Sequence, residues 1–186
     1  MQLKPLIQLS LSLMVGAGLV YYGLDLGTSS DEAEMAHSGP VAIIDNINAW
    51  QTDNNGKLLR QFNGQQLRQF EKPERYEIDQ PRITLYRDGK TAWFVRSDSA
   101  TSNDPKQDIS LMGNVQADRD PQLGTSLRLN TSRLNANPSQ DRLFTDEQVV
   151  ITGQQGRISG RGLDTDLKAG TLSLSSAVEV KYAPNN

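Results

Sequence analysis

The chain of 186 residues has no cysteine and one histidine. Without thiols there is no thiolate nucleophile, no disulfide and no Cys-ligated zinc. The lone histidine, His37, sits in a polar, acidic stretch, where a solvated side chain is the ordinary role. Histidine-based acid–base chemistry and triads are therefore not expected. Net charge is -3, and no basic stripe or aromatic-interleaved basic run is present, so nucleic acid is not an expected partner. Hydrophobic residues make up 36%, and many of them fall in the first 24 positions. What remains is polar for its size. An open β structure, in which each strand buries one face, suits it better than a thick closed core.

Catalytic constellations are equally scarce. Asp164 and Asp166 point to one side of a strand, but no Asp-x-Asp-x-Asp-Gly loop surrounds them. No Gly-x-Ser-x-Gly elbow exists. Gly153, Gly156, Gly160 and Gly162 form no phosphate-binding pattern and suit tight turns between short strands. Asn130-Thr131-Ser132 is a glycosylation sequon by formula only. The chain reads as non-enzymatic, with no cofactor and no metal. A polysaccharide-active β-roll enzyme would need an acid/base pair that nothing here marks.

What is present begins with an apolar run. From Pro5 to Leu24 there is no charge. Such a run reaches ~30 Å as a helix, which matches a bilayer's hydrocarbon core. Tyr21 and Tyr22 lie at its far end, and Gly16, Ala17 and Gly18 offer a close-packing face for a neighbouring helix. Lys4 precedes the run, and Asp25, Asp31, Glu32 and Glu34 follow it. That asymmetry places Met1 in the cytoplasm and the bulk of the chain outside. The run is long for a signal-peptide core, and no good A-x-A site follows, which favours an uncleaved anchor. Either way the rest is exported. The expected organisation is a short cytoplasmic start (1–4), a transmembrane helix (5–26), a flexible linker (27–40) and one β domain (41–183).

Beyond residue 40 the period is two. Ile109, Leu111, Val115 and Ala117 alternate with Ser110, Asn114 and Gln116. Leu172, Leu174, Val178, Val180 and Tyr182 alternate with Ser173, Ser175, Glu179 and Lys181. Ile83 with Leu85, Leu127 with Leu129, and Val149 with Ile151 repeat the pattern; Val41 to Trp50 is a first strand. Turn signals separate the runs: Asn54-Asn55-Gly56, Asn63-Gly64, Asp88-Gly89, Asn103-Asp104-Pro105, Asp120-Pro121, Asn137-Pro138, Gly153 to Gly156, and Ala169-Gly170. Asp88-Gly89 is the sharpest hairpin signal. Ile109 to Val115 and Leu172 to Val178 also share an apolar-Ser-Leu-x-small-x-Val pattern, the mark of strands stacked along an axis.

In this order and spacing the chain resembles the LptC family of lipopolysaccharide export. The likeness is carried by Ile47 with Asn48-Ala49-Trp50, Asn55-Gly56-Lys57-Leu58, Phe62, Leu67, Phe70 and Gln80-Pro81 with Ile83. It continues through Leu111-Met112-Gly113-Asn114-Val115, Leu127-x-Leu129-x-Thr131, Val149-x-Ile151-x-Gly153, Gly160-x-Gly162-Leu163 and Leu172-x-Leu174. The resemblance implies an open, two-sheet β-jellyroll of the OstA/LptA-like kind after one N-terminal transmembrane helix. Its implied location is the inner membrane, single-pass, with the C-terminal domain periplasmic. It implies lipopolysaccharide as cargo, received from an inner-membrane ABC transporter and passed to a soluble periplasmic jellyroll bridge protein. It also implies that the span contacts the transporter and influences its coupling of ATP hydrolysis.

The expected lipid groove comprises the apolar members of the alternating faces: Ile47, Phe62, Ile78, Leu85, Trp93, Leu111, Val115, Leu129, Val149, Ile151, Leu172, Leu174 and Val178. Edge residues Val41, Ile43 and Trp50 are expected to meet the transporter side, and Val180 and Tyr182 the soluble partner. Arg60, Arg68, Arg82, Arg87 and Arg96 read as a solvated outer face, with phosphate attraction at the groove mouth as the other reading. A structural envelope scaffold that binds no lipid is the alternative function.

Overall fold

Alternation of apolar and polar side chains produces strands throughout the computed structural model. It describes residues 39–87, 89–104, 108–123, 126–137, 139–140, 142–166 and 171–182. The expected span 5–26 with Gly16, Ala17 and Gly18, His37, and nearly all of the linker 27–40 lie outside the described residues. Among the described residues no helix is long and apolar enough to cross a membrane.

Among the described residues the eleven strands are β1 (Ala42–Thr52), β2 (Leu58–Glu71), β3 (Glu74–Asp79), β4 (Arg82–Arg87), β5 (Lys90–Arg96), β6 (Ser99–Asp104), β7 (Asp108–Arg119), β8 (Leu127–Asn137), β9 (Arg142–Gly153), β10 (Gly156–Asp166) and β11 (Thr171–Tyr182). All described pairings are antiparallel. β2 pairs with β4 through Arg60–Asn63 and with β3 through Gln66–Glu71. β7 likewise pairs with β6 through one half and β5 through the other. β3 and β4 are thus two halves of one bent strand, as are β5 and β6. Counted so, the described residues form a plain meander of nine bent strands, each beside its chain neighbours.

The expectation of short strands is corrected here. β2 has 14 residues and most others have 11 or 12, each bent near its middle. The bends line up across the sheet. Positive φ values mark them at Asn46, Gln80, Gly113, Asn114, Gly162 and Ala177. Register shifts fall at the same level in β7–β8, β8–β9 and β9–β10. Bulges of this kind bend a strand and increase its twist. Asn63-Gly64 is therefore not a turn but lies within β2, and Gly160 and Gly162 lie within β10 rather than between strands. Glycine is required at Gly113, where a Cβ would stand 2.5 Å from Asp98 Oδ2.

Hydrogen bonds hold the corner. Gln80 N donates to Asp98 O at 2.9 Å, Asp98 N to Gly113 O at 2.9 Å, and Asn114 Nδ2 to Asp98 Oδ2 at 2.8 Å. Pro81, which has no N–H to satisfy, is buried there, and its carbonyl accepts from Ser97 N.

Bending folds one continuous sheet into two layers with their apolar faces inward. The two-sheet expectation becomes a single hydrogen-bonded sheet folded on itself. One apolar cluster joins the layers: Ile78, Ala100, Leu111 and Leu134 from one, Val115, Leu129, Val149 and Ile151 from the other. Hairpin turns form two lips. The upper lip has the turns around residues 53–57, 89, 120–123 and 154–155; the lower has those at 72–73 and 139–140. The hairpin expected at Asp88-Gly89 joins β4 to β5, with Gly89 at φ 76; Asp88 lies outside the described residues. Among the described residues β1 pairs only with β2 and β11 only with β10, so each end of the roll presents an edge strand.

Candidate functional site: an apolar trough between two layers

Cross-strand register gives the trough its floor. In the upper layer one inner row runs Ala49, Phe62, Ile83, Val95, Ala117, Leu129, Ile151, Ile158, Val180. Every member is apolar, so directly opposed side chains build a continuous strip. The lower layer answers with Ile44, Leu67, Ile78, Ala100, Leu111 and Leu134, then Leu163 and Leu174. The outer face of the same strands reads Trp50, Gln61, Thr84, Phe94, Asp118, Arg128, Thr152, Arg157, Lys181. Period-two patterning thus separates an apolar interior from a mostly polar exterior.

Strand parity puts the expected groove residues on the inner face. Their surroundings differ. Ile78, Leu111, Val115, Leu129, Val149 and Ile151 are buried and fill the space between the layers. Ile47, Phe62, Leu85, Trp93 and Leu174 are half-buried. Leu172 and Val178, on the last strand, are exposed, and Ile158 and Val180 beside them are exposed too. The trough is packed through its middle and opens toward β11.

Leu67, Ile83, Val95, Leu127, Leu134, Ile158 and Leu163 share this face but were outside the expected groove. Their parity relative to Leu129 or Leu111 is the signal that would have included them. The edge residues divide. Ile43 and Trp50 face outward on β1, opposite Arg68 and Gln61. Val180 and Tyr182 face inward on β11, opposite Ile158 and Gly156. Val41 precedes β1, and its N–H donates to Gln69 O at 2.8 Å.

Charges on the outer face are paired across strands. Arg68 grips Asp79 through two hydrogen bonds of 2.7 and 2.9 Å and reaches Glu77 at 3.4 Å. The hydrogen bond from Arg68 holds the Asp79 carboxyl below the usual carboxylate range. Arg142 does the same for Asp164, so that carboxylate is part of a cross-strand ion pair. Burial, then the neighbouring Glu74, pushes the Tyr76 phenol upward. Among the described residues no group of three His, Cys, Asp or Glu could hold a metal.

Of the arginines read as an outer face, Arg68, Arg82 and Arg96 are placed there by register. Arg60 is the correction. It lies opposite Leu85 and Gln51, on the inner face. A polar concavity of about 850 Å³ also lies along the outer side of the bend, lined by Gln80, Arg82, Arg96, Asp98, Asn114 and Gln148. Its lining is mostly amides, hydroxyls and charges with Pro81, Val115 and Val150 among them, in contrast to the wholly apolar inner row.

A family model described as lipopolysaccharide-assembly, LptC-related, matches residues 10–183. Among solved structures the chain is similar to LptH of Pseudomonas aeruginosa, described as the LptA-homologous periplasmic component of a lipopolysaccharide transport device. The TM-score is 0.52 at 10% identity, covering 75% of this chain and 96% of that one. That likeness supports the β-jellyroll fold. The search of curated proteins returns no match.

Proposed function

Since the chain belongs to the LptC-related lipopolysaccharide-assembly family, and so to lipopolysaccharide transport, we propose that it is the membrane-anchored relay of that transport. In this reading residues 5–26 hold it in the inner membrane and the β domain stands in the periplasm. The domain takes lipopolysaccharide from an ABC transporter into the trough and passes it to a soluble jellyroll of similar fold. One observation carries the reading: a wholly apolar inner row crosses every upper-layer strand and ends exposed on β11.

The energetics agree. Acyl chains crossing water cost ~0.8 kcal/mol per exposed methylene, and an apolar strip removes that cost without specific polar contacts. Movement along such a strip needs no chemistry. Linker residues 27–40 reach at most ~3.5 Å each, which keeps β1 within ~50 Å of the bilayer surface. We assign β1 to the transporter side and the open β11 end to the bridge protein, joined by main-chain pairing of edge strands.

The buried middle of the trough favours a second reading, a scaffold that joins neighbours and binds no lipid. Photo-crosslinking separates the two. Probes at Ile47, Phe62 and Leu172 should capture lipopolysaccharide in transporting membranes, and the full chain should co-purify with the transporter. Active transport with no lipid captured at any of the three positions would favour the scaffold.

A further inference from the structure

The outer face beside the bend carries a second continuous row. Register runs it through Arg82, Arg96, Gln116, Asn130 and Val150 on β4, β5, β7, β8 and β9. Four strand spacings of ~4.8 Å give this row a length of ~19 Å. The bend supplies the other wall, with Gln80, Asp98, Asn114, Glu147 and Gln148, and the two border the concavity of about 850 Å³. Pro81, Val115 and Val150 are its apolar lining. Arg82 and Arg96 balance Asp98 and Glu147, so the lining selects neither sign of charge.

The polar groups fall into two sets. One is held in place. Arg96 Nη2 donates to Gln116 Oε1 at 2.9 Å, and Gln116 Nε2 donates in turn to Asp118, which also accepts from Arg128. Asn114 Nδ2 donates to Asp98 Oδ2 at 2.8 Å. Guanidinium, amide and carboxylate all have more hydrogen-bonding capacity than these bonds use. The other set is uncommitted. Among the described residues the side chains of Arg82, Asn130, Glu147 and Gln148 have no hydrogen-bond partner. One row nearer the upper lip, the same face carries exposed rings. Trp50 is 64% exposed and Phe94 48%, and the Tyr86 hydroxyl between them donates to Gln61 Oε1 at 3.4 Å. Phe94 lies two residues along β5 from Arg96. Rings gathered on an otherwise polar face are a feature to explain.

We propose that this outer cleft binds a saccharide chain: its walls hydrogen-bond the hydroxyls, and Phe94 stacks on the C–H face of a sugar ring. A hydroxyl both donates and accepts, and the lining offers both functions. One side chain on each successive strand also repeats at about the length of one pyranose unit. A peptide fits less well. All five strands are paired on both sides at this row, so no backbone edge is open to strand addition. The sheet itself separates the cleft from the trough, so the inference stands independently of the lipid path.

Equilibrium binding by the full chain in detergent micelles tests this with three probes: the saccharide freed from lipopolysaccharide by mild acid, the lipid part left behind, and oligosaccharides of the cell-wall glycan. The parent should bind at least one saccharide. Asn130→Ala with Gln148→Ala should weaken that binding about tenfold and leave affinity for the lipid part unchanged. Phe94→Ser and, at an exposed position, Arg82→Gln should each weaken it as single changes, with thermal unfolding midpoints confirming that the variants are folded. A loss confined to the lipopolysaccharide saccharide supports the cleft as a reader of the cargo's sugars. A loss confined to the wall glycan supports it as an attachment to the wall. A parent that binds no saccharide, or folded variants that bind it as the parent does, would overturn the inference. So would an equal loss on the lipid part, which would assign these residues to the fold, or a mixed peptide pool bound in place of both saccharides. A parent that binds saccharide but no lipid part removes the trough reading and supports this one.

Discussion

β7 and β11 carry nearly the same pattern in opposite surroundings. Ile109, Leu111, Gly113 and Val115 correspond to Leu172, Leu174, Ser176 and Val178, and the bend residues Asn114 and Ala177 correspond as well, with φ 45 and 51. The echo is in structural register: Leu111 and Leu174 lie in one inner row. Yet Val115 is 1% exposed and Val178 55%. β7 has strands on both sides and the other layer above it, whereas β11 has one neighbour. Alternation determines which face a residue joins. The number of neighbours determines whether that face is core or an open surface. In a meander of bent strands, the last inner face is left for a partner or a ligand.

The largest expected effect follows from that contrast. Val115→Asp should abolish folding, because an unpaired carboxylate would be buried between the layers. Val178→Asp should leave the domain folded but weaken lipid capture at the β11 end. Milder versions give numbers: Val115→Ala should cost about 2 kcal/mol and Val178→Ala less than ~0.5 kcal/mol in urea unfolding. Equal losses would remove the distinction between core and open face.

The bends supply the next effects. Gly162 has φ 73, and a Cβ there would stand 2.7 Å from Ser175 Oγ. Gly162→Ala should destabilise by about 2 kcal/mol, measured the same way. Ala177 holds a similar φ with a side chain, so Ala177→Gly should stabilise by roughly 1 kcal/mol, seen as a higher urea midpoint. If Ala177→Gly destabilised the domain, the bend of β11 would differ from that of its neighbours.

The strand-rich class and most of the hairpin turns were legible from period and turn chemistry; which parity faces inward was not. Nor were the bends. Glycine serves a hairpin and a mid-strand bulge for the same reason, tolerance of positive φ, so Gly160 to Gly162 read as turns, whereas Asn63-Gly64 lies in regular strand, with Gly64 where a Cβ would stand 2.9 Å from Ile78. The bend at Ala177 carries no sequence mark at all. Arg60 was grouped with outward arginines because its parity becomes meaningful only once β2 is known to run unbroken from Leu58 to Glu71. Burial of Val149 against exposure of Val178 depends on position in the sheet, which local pattern does not encode.

The smallest effect concerns the outer face. Arg68 lowers the folded pKa of Asp79, so this pair's contribution is present above the unfolded carboxylate value and is lost as pH falls through the folded one. Asp79 is largely solvent-screened, which limits the effect to about 0.5 kcal/mol. Asp79→Asn should lower the melting temperature slightly at neutral pH, and the gap from the parent should close in acid, below about pH 4. A gap that persists there would mean that Asp79 acts through packing.

The central claim is that the inner face of β11 is a lipid path. It is tested most directly by photo-crosslinkers placed singly at successive positions of that strand in transporting membranes. Lipopolysaccharide should be captured from 172, 174, 178 and 180, and not from 173, 175, 179 and 181, on the opposite face. Capture without alternation, or none at the inward positions while transport proceeds, would contradict it.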